Sequence, residues 1–114
     1  MAKGKPTHIA AIVAGTGFHH PDAIRRKCRE GMSIALVREP RNRFDANAIA
    51  VYMLSPFLFF SFRTHIGYLK APLAKRLAPK MDAGAKCEAT VTSFYADLEH
   101  PRVSLSIRVS QPAQ

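Results

Sequence analysis

The stretch "RVSLSIRVS" (residues 102–110) decides the fold class, because apolar and polar side chains alternate along it without a break. A period of two places the aliphatic side chains on one face of a strand and the serines and arginines on the other. The inward residues are Val103, Leu105, Ile107 and Val109. The preceding stretch, "KCEATVTSFY" (86–95), begins with the same alternation. Together they predict two consecutive strands of a β-rich protein.

Four further strands are predicted upstream, in residues 7–18, 32–38, 48–53 and 66–70. "APLAKRLAPKMDAG" (71–84) is predicted to be helical, with a kink or a division into two short helices at Pro79. "PDAIRRKCREG" (21–31) is predicted to be a basic loop with one short helical turn. The fold class expected is mainly β: a small six-stranded OB-like β-barrel with one short, Pro-interrupted helical segment between strands 4 and 5.

A chain of 114 residues favours one domain, here 1–114, with a core of about 7–110 and a frayed tail at 111–114. Its 17 Lys and Arg outnumber its 8 Asp and Glu, which gives a formal net charge of +9. An excess of that size favours a polyanionic partner, and nucleic acid is the commonest. The alternative is a charge that serves solubility alone.

Several function classes lack the residues they need. The five histidines and two cysteines have no metal-ligand spacing, and no Gly-rich phosphate loop precedes a helix. We therefore expect no metal, no cofactor and no catalysis, although the cations around Cys28 would favour a lowered pKa for its thiol. No signal peptide and no apolar run of spanning length is visible, so the expected location is cytoplasmic, without membrane contact.

Three phenylalanines stand in positions that are unusual for a core residue. Phe44 lies between Arg43 and Asp45 in a predicted loop, Phe18 ends the first strand, and continued alternation places Phe94 on the solvent side of its strand. Exposed aromatics beside cations stack on unpaired bases. The alternative for each is core packing, which a bulge would produce at Phe94.

Asp45 repels phosphate, so it needs a different explanation from the cations around it. One interpretation is a turn role, in which the carboxylate accepts backbone N–H bonds near Asn47. The other is acceptance of a hydrogen bond from a sugar hydroxyl, which a strand offers at its 3′ end and RNA offers at every 2′ position.

"VREPRNRFDANAIAV" (37–51), followed by "IGYLKAPLAKRLAPKMDAG" (66–84), closely resembles the HIRAN domain family, and "VAGTGFH" (13–19) is similar to the family's first glycine-aromatic stretch. The resemblance covers residues from about 9 to 110. It implies an OB-like fold, binding of single-stranded DNA 3′ ends in a DNA repair or replication context, and a stand-alone bacterial protein. This chain departs from the family in having Gly17 where an arginine precedes the stacking aromatic, and Arg43 where a proline stands.

The resemblance also assigns roles to individual residues. It implies that Phe18, Phe44 and Phe94 pack on bases, that Asp45 contacts the 3′-hydroxyl, and that Tyr68 and Lys70 lie near the backbone of the DNA. Arg38, Arg43 and the cluster "RRKCR" (25–29) would screen phosphates. The candidate nucleic-acid-binding residues are Phe18, His19, Arg38, Asn42, Arg43, Phe44, Asp45, Tyr68, Lys70 and Phe94.

A second hypothesis comes from the hydrophobic segment "LSPFLFFSF" (54–62), which holds four phenylalanines. A hairpin buries only one of its faces in its own sheet, and a remaining apolar patch marks a contact surface. This predicts a homodimer or a protein partner bound through residues 54–62, either instead of DNA binding or together with it.

Overall fold

The computed structural model describes residues 6–57, 60–96 and 99–111. Within them the chain forms six strands and two helices. In chain order these are β1 (Thr7–Ile12), α1 (Pro21–Lys27), β2 (Ser33–Arg38), β3 (Ile49–Phe57), β4 (Phe60–Tyr68), α2 (Ala71–Asp82), β5 (Lys86–Tyr95) and β6 (Arg102–Ser110). The predicted tail extends beyond Gln111 into residues outside this description.

All the strand pairs are antiparallel, in the order β1-β6-β5-β2-β3-β4. The mainly β class with six strands is confirmed, but the sheet does not close into a barrel. A single bridge joins its two ends, through hydrogen bonds of 2.8 and 2.9 Å between the backbones of Ala14 and Tyr68. Gly67 permits this approach, because a Cβ there would lie 2.2 Å from the carbonyl oxygen of Ala14.

The core follows the alternation of the sequence. All four inward side chains of β6 are buried, and they pack with Ile49, Val51 and Met53 of β3. Helix α2 covers one side of this core with Ala74, Leu77 and Ala78. No helix in the described residues is long and apolar enough to span a bilayer.

The two helices match the expectation only in part. α2 is one helix, so the alternative of two short helices is wrong; Pro79 lies close to its C-terminal end and on its exposed side, where the loss of one backbone N–H is tolerated. The predicted loop at 21–31 contains a genuine seven-residue helix, α1, which begins at Pro21 and buries Ile24 completely. The hydrophobic segment extends β3 and β4 into a long hairpin, although residues 58 and 59 lie outside the description.

A bulge in β5 changes the side on which Phe94 lies. Val91 pairs with Leu105 and Ser93 pairs with Ser104, so Thr92 is an extra residue and the alternation reverses after it. Phe94 therefore lies opposite the buried Val103 and packs against the core. The expectation of an outward Phe94 is wrong, and the alternative of a bulge is the one that the structure shows.

Candidate functional site

A pocket of about 530 Å³ opens where the loop between β2 and β3 meets the segment before α1 and the end of β4. Most of its walls are residues that the sequence had singled out. The lining residues are His19, Asn42, Arg43, Phe44, Asp45, Ala48, Tyr68, Leu69 and Ala71.

The loop between β2 and β3 is fixed by its own side chains. The Oδ1 atom of Asn42 accepts hydrogen bonds from the backbone N–H groups of Phe44, at 2.9 Å, and Asp45, at 3.2 Å. The amide nitrogen of Asn42 donates to Oε1 of Glu39 at 3.0 Å. This local network gives the loop one defined conformation in the absence of a ligand, which lowers the entropy cost of binding.

Phe44 points away from the protein. Its side chain is 90% exposed, and the guanidinium of Arg43 lies 5.6 Å from its ring centroid. A phenylalanine exposed to this extent contributes almost nothing to folding through burial. The structure therefore rules out the alternative that Phe44 is a plug under the loop.

Asp45 lies beside this ring with one oxygen engaged. Its Oδ1 atom accepts from the backbone N–H of Asn47 at 2.8 Å, which is the turn role considered from the sequence. The second oxygen, Oδ2, has no hydrogen-bond partner among the described residues. The carboxylate thus fixes the turn and keeps an acceptor available on the wall of the pocket.

Aromatic and histidine side chains form the opposite wall. The hydroxyl of Tyr68 donates to Oε1 of Glu39 at 2.9 Å, and its burial together with this carboxylate raises the pKa of Tyr68 above its usual value. The ring of His19 lies 4.5 Å from that of His65 and 5.7 Å from that of Tyr68. Burial, followed by the nearby His65 and His20, lowers the pKa of His19.

A second recess, of about 340 Å³, adjoins this pocket. Phe18 lines it with 83% of its side chain exposed, and Lys70 contributes a cation. The two cavities are neighbours along the chain, since His19 follows Phe18 and Lys70 lies between Leu69 and Ala71.

Two of the candidate residues lie in neither recess. Phe94 packs against the core. The guanidinium of Arg38 donates to Asp82 at 2.9 and 3.2 Å and to the carbonyls of Ala46 and Ala48 at 3.1 and 2.8 Å, and its side chain is only 14% exposed. Both residues have packing or anchoring roles, and their contact with a ligand stays a prediction.

Four residues at the site were not predicted from the sequence. Glu39 supports the loop, His65 lies against His19, and His100 and Arg102 line the second recess. Only Glu39 had a local signal, because an acidic residue three positions before Asn42 is within reach of its side chain. The other three are brought to the site by pairing between distant segments.

The side chains that line the site are of types that bind ligands. Among the described residues, no group of three or more His, Cys, Asp and Glu side chains could hold a metal ion. Cys28 is buried, and this burial raises its pKa to about 11, outweighing the opposite effect of Arg29. The expectation that its cationic neighbours would lower that pKa is therefore wrong.

Comparison with known proteins gives one match to a family. The model of the HIRAN domain matches residues 9–111. The chain is 31% identical over 99 residues to the Fanconi-associated nuclease 1 homolog of rice, Oryza sativa subsp. japonica. This alignment covers 85% of the chain and 9% of the nuclease, so the chain spans about a tenth of the length of that relative.

Two crystal structures share the fold. The HIRAN domain of human HLTF superposes with a TM-score of 0.72 at 24% identity, over 96% of this chain and 81% of that domain. A protein from Lactobacillus plantarum gives a TM-score of 0.69 at 22% identity, over 93% and 99% of the two chains. At these identities the two structures show the common fold and leave the roles of individual residues to the geometry described above.

Proposed function

This chain belongs to the HIRAN domain family, and we propose that it is a non-catalytic module that binds the 3′ end of single-stranded DNA. The resemblance to the family implies a nucleic-acid partner. The rice relative is a nuclease that contains a region similar to this chain, and this favours a DNA repair context. The observation that carries the proposal is the pair of Phe44 and Asp45: an exposed ring and an available carboxylate oxygen, side by side on a fixed loop.

The exposed ring supplies binding energy without regard to base identity. A base stacked on Phe44 gains roughly 1–3 kcal/mol, and Arg43 beside the ring adds a cation for the adjoining phosphate. Phe18 offers a second exposed ring next to the same pocket. Lys70 lines the second recess, where the backbone of a bound strand would pass.

The carboxylates of Asp45 and Glu39 would make the pocket prefer the 3′ end of a strand to an internal nucleotide. Asp45 lines the pocket and Glu39 is hydrogen-bonded to two of its lining residues, Asn42 and Tyr68, so two anionic groups oppose an internal phosphate at that position. A terminal 3′-hydroxyl carries no charge and donates a hydrogen bond to Oδ2 of Asp45. A hydrogen bond to a charged group contributes about 1.5–3 kcal/mol, which corresponds to roughly tenfold or more in affinity.

The decisive experiment compares oligonucleotides that end in a 3′-hydroxyl with those that end in a 3′-phosphate. We expect the wild-type chain to prefer the hydroxyl by about tenfold. The variant Asp45→Asn keeps Oδ1 for the bond from Asn47 but replaces Oδ2 with an amide nitrogen, which cannot accept. It should bind the 3′-hydroxyl more weakly and the 3′-phosphate more strongly. Equal wild-type affinity for the two ends would remove the end-reading role of Asp45.

Phe44→Ala tests the stacking role, and Phe62→Ala is a matched control. Phe62 lies in β4 and is 50% exposed, but it does not line the pocket. We expect Phe44→Ala to weaken binding about tenfold while Phe62→Ala leaves it unchanged. Equal effects of the two substitutions would place the contact elsewhere.

A second candidate function is protein contact through the β3–β4 hairpin. β4 is an edge strand of the sheet, and it exposes 56% of Phe60 and 50% of Phe62. An exposed edge that carries large apolar side chains is prone to pair with another chain. Sedimentation should then show self-association that the double substitution of Phe60 and Phe62 by serine abolishes, whereas a strict monomer at high concentration argues against a homodimer.

A further inference from the structure

We infer that His100 is a nucleic-acid-contacting residue, which forms with Phe18, Lys70 and Arg102 a second nucleotide subsite for the nucleotide that precedes the strand end. This inference rests on the proposed function and extends it to residues from the turn between β5 and β6. Three observations support it: the position of the His100 ring against Gly17, the hydrogen bonds that hold the neighbouring residues of the chain, and the charged side chains around the ring.

The imidazole of His100 lies directly against the backbone of Gly17. A Cβ on Gly17 would lie 1.8 Å from Nδ1 and 2.5 Å from Cε1 of that ring, so only glycine permits the arrangement. The ring also stacks with Phe18, at 6.1 Å between centroids and 28° between planes. The two rings therefore lie next to each other in the wall of the recess, and 83% of Phe18 is open to solvent.

The turn that carries His100 is anchored on both sides. The guanidinium of Arg25, in α1, donates to the carbonyls of Ala96 at 3.3 Å and Glu99 at 3.0 Å. On the other side of His100, the buried Thr16 hydroxyl donates to the carbonyl of Pro101. An exposed ring whose two neighbours along the chain, Glu99 and Pro101, are held in this way is preorganised, so a ligand that stacks on it loses little conformational entropy.

The charges around this ring suit a phosphate. Lys70 and Arg102 line the same recess as His100 and Phe18, and among the described residues no carboxylate lines it. The first pocket differs, because Asp45 is part of its wall and Glu39 supports it. The first pocket also has Arg43 in its wall, so it carries one cation beside its carboxylate. A terminal nucleoside with a free hydroxyl suits the carboxylate of Asp45, and the phosphate that links it to the next nucleotide suits the cationic recess.

The recess adjoins the first pocket, so a single strand passes from one to the other. The two walls are built by consecutive residues: His19 and Leu69 line the first pocket, and their neighbours Phe18 and Lys70 line the recess. The base preceding the end would stack on the Phe18–His100 surface, and its 3′-phosphate would contact Lys70 and Arg102. The minimal ligand is therefore a dinucleotide with one internal phosphate.

The test measures affinity along a ladder of deoxynucleotides with a 3′-hydroxyl, from a single nucleoside to a tetranucleotide. We expect His100→Ala to reduce affinity about fivefold or more for the dinucleotide and longer ligands, and to leave nucleoside binding unchanged. Gly17→Ala should have the same effect, because its methyl group displaces His100. The double variant should be no weaker than either single variant, since both remove the same surface.

Two controls separate the inference from its alternatives. Lys86→Ala removes a cation at the opposite end of the β5–β6 pair from Arg102 and should leave affinity unchanged. His100→Phe keeps an aromatic ring without the imidazole nitrogens and should retain most of the affinity, whereas a loss as large as that of His100→Ala would contradict stacking as the role of this ring. Thermal unfolding of each variant confirms that it is folded.

The outcomes distinguish this inference from the proposed function. If the wild-type chain binds the ladder and Phe44→Ala weakens it, but His100→Ala and Gly17→Ala behave like Lys86→Ala, then the second subsite is wrong and the end-binding pocket stands. Additive losses in the double variant would also overturn the shared surface. No wild-type binding to any member of the ladder would overturn both.

Discussion

Asn42 organises the binding loop with a single side chain. Its Oδ1 atom accepts from two backbone N–H groups, those of Phe44 and Asp45, and its amide nitrogen donates to Glu39. The carboxylate of Glu39 in turn accepts from Tyr68 in β4. One residue thus connects the loop that presents the ring to the wall of the pocket, and the exposed Phe44 keeps its position without any packing of its own.

Replacement of Asn42 by alanine should therefore affect binding and stability together. Three hydrogen bonds are lost, and at about 1 kcal/mol or less each for partly exposed groups we expect a decrease of roughly 1–2 kcal/mol in the free energy of unfolding. Binding of a 3′-hydroxyl oligonucleotide should weaken because Phe44 and Asp45 lose their fixed orientation. Chemical denaturation and fluorescence anisotropy measure the two effects. The neighbouring, exposed Arg41→Ala is the control for stability, and an Asn42→Ala variant with wild-type affinity would contradict the role of the loop.

His19 makes the stability of the fold depend on pH. Burial, with smaller effects from His65 and His20, holds the pKa of His19 below the ordinary histidine value of about 6.5. As the pH falls, the unfolded chain binds a proton at His19 before the folded chain does, so the unfolding free energy decreases below about pH 6.5. The decrease stops once the pH is below the pKa of the folded state.

We expect His19→Gln to lose less stability than the wild type between pH 7.5 and pH 5.5, because glutamine binds no proton. Denaturant unfolding at the two pH values measures the difference. His8→Gln is the control, since His8 is exposed on the edge strand β1 and outside the cluster of His19, His65 and Tyr68. Equal losses in the wild type and in His19→Gln would contradict the assignment.

At the scale of elements, the alternation of side chains predicted six strands because burial imposes a period of two. Some of the bounds were wrong, since β1 ends at Ile12 and not at Phe18, and β4 begins at Phe60 and not at Ile66. β6 has the bounds that its pattern indicated, 102–110, with every second side chain buried.

The same rule failed at Phe94, since a bulge at Thr92 reverses the faces of the strand and no residue type there requires a bulge. The local sequence pattern determines which face of a strand is apolar. The position of a bulge, where the register shifts by one residue, is determined by pairing with the neighbouring strand.

The candidate site was predictable only where its residues are close in sequence. Asn42, Arg43, Phe44 and Asp45 lie on one loop, and their polar neighbours indicated an exposed aromatic. His100 and Gly17 are far apart in the sequence, and the pairing of β1 with β6 brings them into contact. The ligand contact of Arg38 stays a prediction, and no feature of the sequence indicated that α2 supplies Asp82 as its partner.

The bulge leads to a prediction about Phe94. Because this side chain packs against the core, Phe94→Ala should lower the free energy of unfolding by about 2 kcal/mol, less than for a fully buried phenylalanine. Phe94→Leu should recover most of that loss. Tyr95→Ala is the control, since Tyr95 is the adjacent residue of β5 and is exposed. Urea denaturation measures all three, and an unchanged stability of Phe94→Ala would contradict the packing role.

At the scale of the whole molecule, the formal charge of +9 overstates the cations available to a ligand. Arg38 is held by Asp82 and two carbonyls, and Arg25 donates to Asp22 and to the turn before His100. What distinguishes the site is the arrangement of charge, with both Asp45 and Arg43 at the first pocket and Lys70 and Arg102 at the second recess. A nonspecific attraction of the whole surface for polyanions and a specific phosphate contact therefore predict different responses to single substitutions.

The salt dependence of binding separates these two contributions. Each phosphate contact with single-stranded DNA releases counterions and contributes about 0.7 to the slope of log affinity against log salt. Lys70→Ala should reduce the magnitude of that slope by about 0.7, because Lys70 lies in the recess through which the strand passes. Lys86→Ala removes the same formal charge at the far end of β5 and should leave the slope unchanged. Fluorescence anisotropy across a series of salt concentrations measures both slopes. Equal reductions by the two variants would mean that the charge acts through the overall field of the molecule, and the phosphate path between the two cavities would then be wrong.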